Sequence, residues 1–140
     1  MDTYDRTAAL PAPEAVTTRT PRILVIDDDR YVRTLLCDLL EAWGYVPDAA
    51  ADGREGLTLF ERGRYDVVLT DLGMPGMTGL ALAKELKRRR AVPVLLLTGW
   101  ADELDAATAP SVDLVVAKPF TRERLFEALA HTLPDRVRPA

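Results

Sequence analysis

The feature that most constrains this chain is a regular alternation between short apolar runs and longer segments with helical periodicity. The apolar runs are continuous and rich in β-branched residues, as in Ile23-Leu24-Val25-Ile26. Such runs are typical of strands that are buried on both faces. The intervening segments carry apolar residues at three- and four-residue spacing, which indicates helices. The predicted order is β-α-β-α-β-α-β-(α)-β-α.

This order predicts an α/β fold with a doubly wound, five-stranded parallel sheet and helices on both faces, because alternating units pair in parallel through right-handed crossovers. The predicted strands lie at 23–26, 45–50, 65–70, 92–97 and 112–117. The fourth crossover is the weakest part of the pattern. Only 19 residues separate Thr98 from Lys118, and Pro110 interrupts them.

The patterned region is flanked by segments with few large apolar side chains. Residues 1–20 are rich in Ala, Thr and Pro, and we expect a disordered arm there because such a segment cannot offset its ordering entropy. Residues 21–133 are predicted to form one domain and residues 134–140 a short tail. One domain agrees with a length of 140 residues.

The composition excludes several classes of protein. A net charge of −4 disfavours nucleic acid as the main partner. The single cysteine, Cys37, cannot form an internal disulfide. No apolar run approaches the ~18 residues of a membrane helix, and the N-terminus has no signal-peptide pattern. We therefore expect a cytoplasmic protein that makes no membrane contact.

Two further patterns are a basic run and a set of three glycines at three-residue spacing. The basic run at 87–90 is expected to be the solvated end of a helix, where cations suit the helix dipole. Gly73, Gly76 and Gly79 are expected to give the loop after Asp71 its freedom, so that backbone can approach a metal.

Polar residues follow four of the predicted strands, at the edge where doubly wound sheets bind ligands. They are Asp27, Asp28 and Asp29 after the first strand, Asp71 after the third, Thr98 after the fourth and Lys118 after the fifth. Clustered carboxylates repel one another unless a cation binds. Carboxylate, carbonyl and water oxygens suit Mg²⁺. A metal beside an amine and a hydroxyl forms a site for a phosphoryl group.

Four sequence blocks resemble the signature blocks of the response-regulator receiver domain of two-component signalling. They are 22–29 (RILVIDDD), 70–79 (TDLGMPGMTG), 97–99 (LTG) and 117–120 (AKPF). Each block is weak alone, but four in the right order, each at a strand end, are specific. The resemblance covers residues 22–133 and implies the flavodoxin-like (β/α)5 receiver fold.

The resemblance implies a role for each matching residue. Asp71 is expected to be the phosphoacceptor, which forms an aspartyl phosphate. The expected Mg²⁺ ligands are Asp27, Asp28, Asp71 and the backbone carbonyl of Gly73. Of the first two, Asp28 is expected to be the more direct ligand of the metal. Thr98 is expected to be the switch hydroxyl and Lys118 the charge partner. The Lys118-Pro119 bond is expected to be cis.

The resemblance also implies partners. The phosphoryl donor would be a sensor histidine kinase or a histidine phosphotransfer protein. Phosphorylation would shift a population of conformations and change binding to an unknown downstream protein. The chain would assist only its own phosphorylation and dephosphorylation. Because seven residues follow Leu133, we expect no attached output domain. The chain would act alone, relay phosphoryl groups or derive from a hybrid kinase.

Two features depart from the common receiver pattern. Val115 lies where many receivers carry an aromatic residue that couples to the threonine, so the usual output surface is expected to differ. Gly73 and Trp100 lie where many receivers place an acid or amide that orients the hydrolytic water. We therefore expect a long-lived aspartyl phosphate that Trp100 partly shields.

Two other functions stay open. A Mg²⁺-dependent phosphatase with an aspartyl nucleophile needs a second acid two residues after the nucleophile. Gly73 follows Asp71 at that offset, whereas Asp29 follows Asp27. A degenerate receiver could act as a constitutive interaction module, although the intact acidic cluster argues against it.

Overall fold

The computed structural model describes residues 19–105 and 108–133. Most of the predicted arm and all of the predicted tail lie outside the described residues. The strands are β1 (Arg22–Ile26), β2 (Val46–Ala50), β3 (Val67–Asp71), β4 (Val94–Thr98) and β5 (Leu114–Ala117). The α-helices are α1 (Arg30–Ala42), α2 (Gly53–Arg62), α3 (Gly79–Arg89) and α4 (Arg122–Thr132).

The five strands form one parallel sheet in the order β2-β1-β3-β4-β5. The predicted five-stranded parallel sheet is confirmed. The strand order reverses between β1 and β3, which is the position where open α/β sheets leave a crevice at the carboxyl ends of their strands. The predicted starts of β3, β4 and β5 are two residues early. Pro93, for example, lacks the N–H that strand pairing needs.

The core lies on both faces of the sheet, because alternate residues of β1 point to opposite sides. The cluster on the α1 and α4 side includes Ile23, Val25, Leu36, Leu40, Leu125 and Leu129. The cluster on the α2 and α3 side includes Leu24, Ile26, Phe60, Leu82 and Leu86. Burial on both sides explains why β1 reads as an unbroken apolar run.

The strand order is that of the flavodoxin-like fold, which is confirmed, and the crossover from β4 to β5 is a local difference from the (β/α)5 pattern. In the described part of this crossover, the helical residues form one short 3₁₀ turn, Ala101–Glu103, and not an α-helix. The shortness of the segment and Pro110 account for the difference, since proline removes a helix hydrogen bond. Asp113 secures the start of β5, because its carboxylate accepts from Lys87 Nζ at 2.6 Å and from the Val94 N–H at 2.7 Å.

The helix ends follow their capping residues. Asp29, Asp52, Thr78 and Thr121 accept hydrogen bonds from the first-turn N–H groups of α1, α2, α3 and α4. Gly44, just beyond α1, has a φ of 91°, which suits glycine.

The basic run at the end of α3 contacts other parts of the fold, so the expected solvated helix end is only partly right. Lys87 pairs with Asp113, and Arg88 pairs with Glu85 of its own helix. Arg90 donates to the carbonyls of Phe60 and Gly63 at the end of α2. These contacts join α3 to α2 and to β5.

Among the described helices, the longest has 13 residues, and none has both the length and the apolar character needed to cross a membrane.

Candidate functional site

The carboxyl ends of β1, β3 and β5 bring four of the predicted site residues together. One carboxylate oxygen each from Asp27, Asp28 and Asp71 lies within 4.8 Å of the others. Lys118 Nζ lies 2.8 Å from Asp71 Oδ1 and 4.0 Å from Asp27 Oδ2. We call these four residues the acidic pocket. They are separated by up to 90 positions in the sequence and meet only because the strands run parallel.

Asp27 is the buried member of the acidic pocket, with 2% of its surface exposed. Its Oδ1 atom accepts a hydrogen bond from the Asp29 N–H at 2.8 Å. Its Oδ2 atom is buried and has no hydrogen-bond partner among the described residues. Burial, reinforced by the charges of Asp71 and Asp28, raises the pKa of Asp27 above its usual value. The ionised carboxylate of Asp27 therefore has too little positive charge nearby to offset the cost of its burial.

Asp71 and Asp28 are the accessible members. The Asp71 side chain keeps 13% of its surface exposed, and Asp28 is exposed. A reactant can therefore reach Asp71 from solvent, while the other carboxylates and Lys118 lie beside it.

The donor set fits a hard divalent cation. Three carboxylates supply oxygen ligands, and one buried oxygen, Asp27 Oδ2, lacks a partner. The acidic pocket contains no His or Cys, which zinc would favour. Mg²⁺ prefers oxygen ligands of this type and keeps several waters.

Thr98 ends β4 and is almost completely buried. Its Oγ1 atom accepts a hydrogen bond from the Trp100 N–H at 2.9 Å. Its carbonyl accepts from the Lys118 N–H at 2.9 Å, which joins β4 to the segment that carries the lysine. The Lys118-Pro119 bond is cis.

Gly73 and Trp100 are both exposed near the ends of their strands. Gly73 lies in the loop after β3, and a Cβ atom added there would meet nothing within 4 Å. Trp100 has 66% of its surface exposed. The metal-ligand role of the Gly73 carbonyl and the shielding role of Trp100 stay predictions.

Gly79 has a role at the site that the sequence interpretation missed. A Cβ atom at Gly79 would fall on the carbonyl oxygen of Asp71, well inside contact distance. The Gly79 N–H also donates to the Leu72 carbonyl at 2.8 Å. Glycine therefore lets α3 begin against the backbone of Asp71. Of the three loop glycines, only Gly76 has a positive φ, 84°. We expected all three glycines to make the loop flexible. Instead, Gly76 is needed for a turn with positive φ, and Gly79 is needed for the close approach of α3 to the Asp71 carbonyl.

Comparison with known proteins agrees with this fold. Residues 23–130 match the family model described as the response regulator receiver domain. The two-component response regulator PhoP of Pseudomonas aeruginosa is 37% identical over 108 residues, which cover 74% of this chain and 48% of that protein.

Solved structures give the same result. The response regulator TrrA of Thermotoga maritima, in complex with Mg²⁺-BeF, has a TM-score of 0.76 and 35% identity, with coverage of 81% of this chain and 100% of that chain. TrrA in complex with the histidine kinase ThkA has a TM-score of 0.76 and 34% identity, with coverage of 82% and 100%. The chain belongs to the response-regulator receiver family of two-component signalling. It spans about half the length of the curated relatives it matches.

Proposed function

We propose that Asp71 accepts a phosphoryl group in a Mg²⁺-dependent reaction, and that the resulting aspartyl phosphate switches the binding of a partner protein. The observation that carries the proposal is the position of the Asp71 carboxylate. It is reachable from solvent, hydrogen-bonded to Lys118 and adjacent to two further carboxylates. The donor would be a histidine kinase or a histidine phosphotransfer protein. The complex of TrrA with the kinase ThkA supports a donor of this class.

Phosphoryl transfer to Asp71 would be a direct substitution at phosphorus. A carboxylate oxygen of Asp71 attacks the phosphorus of a phosphohistidine. The O–P bond forms as the N–P bond breaks, and the imidazole leaves with the electron pair. Lys118 Nζ, which lies 2.8 Å from Asp71 Oδ1, is placed to pair with a phosphoryl oxygen after transfer.

The carboxylates of Asp27, Asp28 and Asp71 and the carbonyl of Gly73 would hold the metal ion. When bound, Mg²⁺ supplies positive charge to the phosphoryl oxygens. The unpartnered Oδ2 atom of Asp27 supports this assignment, because a buried carboxylate oxygen is costly without a partner.

Thr98 would link phosphorylation to conformation. Its hydroxyl oxygen accepts the Trp100 N–H, which leaves the hydroxyl proton available for donation to a phosphoryl oxygen. Movement of this hydroxyl would disturb the turn that carries Trp100. We infer that residues 21–133 form the switching unit, acting on a downstream protein, with catalysis limited to its own phosphorylation and dephosphorylation.

The phosphatase alternative receives less support. Its required second acid could only be Asp29, if Asp27 were the nucleophile. Asp29 caps α1, with its Oδ1 atom accepting from the Tyr31 N–H at 2.9 Å. Asp27 is also the buried carboxylate, whereas Asp71 is accessible.

The test is incubation with acetyl phosphate and Mg²⁺, followed by intact-protein mass spectrometry. We expect the wild type to gain one phosphoryl group per chain and Asp71→Asn to gain none. Asp29→Asn, a matched change outside the acidic cluster, should be labelled like the wild type. Labelling of Asp71→Asn at the wild-type level, or continuous turnover of a small phosphate monoester, would contradict the proposal.

A further inference from the structure

We propose that Arg33 is a positioning residue for the acidic pocket, which fixes the turn between β1 and α1 so that Asp28 is aimed at the cation. This inference rests on the proposed function, because it assumes that the acidic pocket binds a divalent metal ion. Arg33 is the fourth residue of α1 and is not itself a member of the acidic pocket.

The contact that suggests this role runs from the helix back to the strand. Arg33 is half-buried, and its Nη1 atom donates to the backbone carbonyl of Asp27 at 2.8 Å. Its own N–H donates to the Asp29 carbonyl at 3.0 Å as part of the first helical turn. Arg33 therefore contacts the turn at two points, once through its backbone and once through its guanidinium.

The two peptide groups that flank Asp28 are both held. The peptide between Asp27 and Asp28 is held through its carbonyl by Arg33. The peptide between Asp28 and Asp29 is held through its N–H, which donates to Asp27 Oδ1 at 2.8 Å. The Asp28 side chain is exposed, and its carboxylate forms no hydrogen bond or ion pair with residues 19–105 and 108–133 that would orient it. We therefore infer that its direction is set by its backbone.

The same hydrogen bonds also orient Asp27. With Oδ1 engaged by the Asp29 N–H, the remaining oxygen, Oδ2, lies on the side of Lys118, 4.0 Å from its Nζ. Asp27 and Asp28 thus present oxygens to the pocket from one hydrogen-bonded turn, and Arg33 holds that turn from α1 through its bond to the Asp27 carbonyl. Groups that orient metal ligands in this way commonly control metal affinity.

A positioning role and a simple charge role predict opposite results. The positive charge of the Arg33 guanidinium repels a metal ion, so loss of charge alone would tighten metal binding. Loss of the hydrogen bond to the Asp27 carbonyl would instead loosen the turn and weaken metal binding. The sign of the change therefore distinguishes the two roles.

The experiment measures the Kd for Mn²⁺, used as a spectroscopic substitute for Mg²⁺, from the electron paramagnetic resonance signal of the free ion. We expect Arg33→Ala to raise the Kd about tenfold, the lower end of effects from groups that orient metal ligands. Arg33→Lys keeps the charge but lacks the planar guanidinium, and it should raise the Kd by roughly threefold.

Arg30→Ala is the matched control. It removes the same charge from the first residue of α1, and the Arg30 guanidinium is exposed with no hydrogen bond or ion pair within 19–105 and 108–133. Its Kd should be unchanged or slightly lower. Thermal unfolding of each variant in metal-free buffer shows whether a change in Kd merely follows a loss of stability.

An unchanged or lower Kd in Arg33→Ala would overturn the positioning role. If Arg33→Ala does not fold, Arg33→Lys decides, and a wild-type Kd in that variant overturns the role equally. Failure of the wild type to bind Mn²⁺ would contradict the proposed metal site, and with it the role of Arg33. Wild-type binding with unaffected variants would contradict only the role of Arg33.

Discussion

The two ends of β3 carry aspartates in opposite situations. Asp66 immediately precedes the strand and is buried, but both of its oxygens are engaged. The Arg19 guanidinium binds it through two nitrogens, and the Arg22 N–H donates to it at 2.8 Å. Asp71 ends the same strand, shares Lys118 with Asp27, and belongs to a cluster of three carboxylates. The same type of side chain is therefore fully paired at one end of the strand, whereas at the other end it lies in the cluster to which we assign the proposed chemistry.

The difference extends across the sheet. At the edge where strands begin, which we call the structural edge, the Asp113 carboxylate accepts hydrogen bonds from Lys87 Nζ and from the Val94 N–H. At the edge where strands end, which we call the catalytic edge after the proposed function, Asp27 Oδ2 accepts no hydrogen bond from the described residues, and Lys118 Nζ lies 4.0 Å away. Satisfied carboxylates stabilise the fold, whereas a cluster of like charges costs stability unless a cation binds. The proposed function thus implies that, in the absence of metal, the carboxylates at the catalytic edge lower the stability of the fold, whereas those at the structural edge raise it.

The largest expected effect is at the structural edge. Asp66→Asn should lower the free energy of unfolding by about 2–3 kcal/mol, because it removes charge-assisted hydrogen bonds from a buried position. Urea denaturation measures this change. Asp102→Asn, in the exposed 3₁₀ turn, is the control and should change stability by less than about 0.5 kcal/mol. Equal effects of the two substitutions would break the comparison.

A smaller effect, of opposite sign, is expected at the catalytic edge. Asp27→Asn should raise the free energy of unfolding by about 1 kcal/mol in metal-free buffer at neutral pH, because it removes a buried charge that is repelled by its neighbours. It should also abolish the stabilisation that Mg²⁺ gives the wild type. Thermal unfolding with and without Mg²⁺ measures both changes.

Asp29→Asn tests whether this result is specific to the acidic pocket. Asp29 is adjacent in sequence, but it is not part of the cluster of three carboxylates, and asparagine is an equally good helix cap. This variant should keep both the wild-type stability and the response to Mg²⁺. Destabilisation by Asp27→Asn in metal-free buffer would show that repulsion among the carboxylates of the acidic pocket does not lower the stability of the fold.

The sequence predicted the parts of this molecule that depend on local pattern. Continuous apolar runs such as that of β1 indicated strands that are buried on both faces, and the alternation of such runs with helical segments indicated a parallel sheet. Convergence of the strand-end residues followed from the parallel sheet, since parallel strands place their carboxyl ends at one edge. Asp27, Asp28, Asp71 and Lys118 do meet there, although their functional roles stay proposals.

The features that the sequence did not predict depend on contacts between distant residues. The need for glycine at Gly79 comes from the Asp71 carbonyl, and the position of Arg33 matters because its side chain reaches back to Asp27. Neither contact leaves a periodic signal. The repeating pattern of units predicted a helix between β4 and β5, but this crossover is short and interrupted by Pro110, and its described part forms only a 3₁₀ turn.

The smallest expected effect concerns the lifetime of the aspartyl phosphate, and it sharpens the comparison by adding an acid to the catalytic edge. Neither Gly73 nor Trp100 has a side chain that can orient a water for hydrolysis. Gly73→Glu should therefore speed dephosphorylation in Mg²⁺ by roughly threefold, which corresponds to less than about 1 kcal/mol in the barrier. The space around Gly73 accepts a side chain without a clash.

Decay of the phosphorylated protein, followed by intact-protein mass spectrometry after removal of the phosphodonor, measures this effect. Gly73→Ala adds a Cβ atom without a carboxylate and should decay like the wild type. Trp100→Glu tests the second position, where the exposed ring would be replaced by an acid; faster decay there agrees with both shielding by the ring and the absence of a water-orienting group. If Gly73→Glu and Trp100→Glu both decay at the wild-type rate, these two positions do not limit hydrolysis of the aspartyl phosphate, and the predicted cause of its long lifetime is wrong.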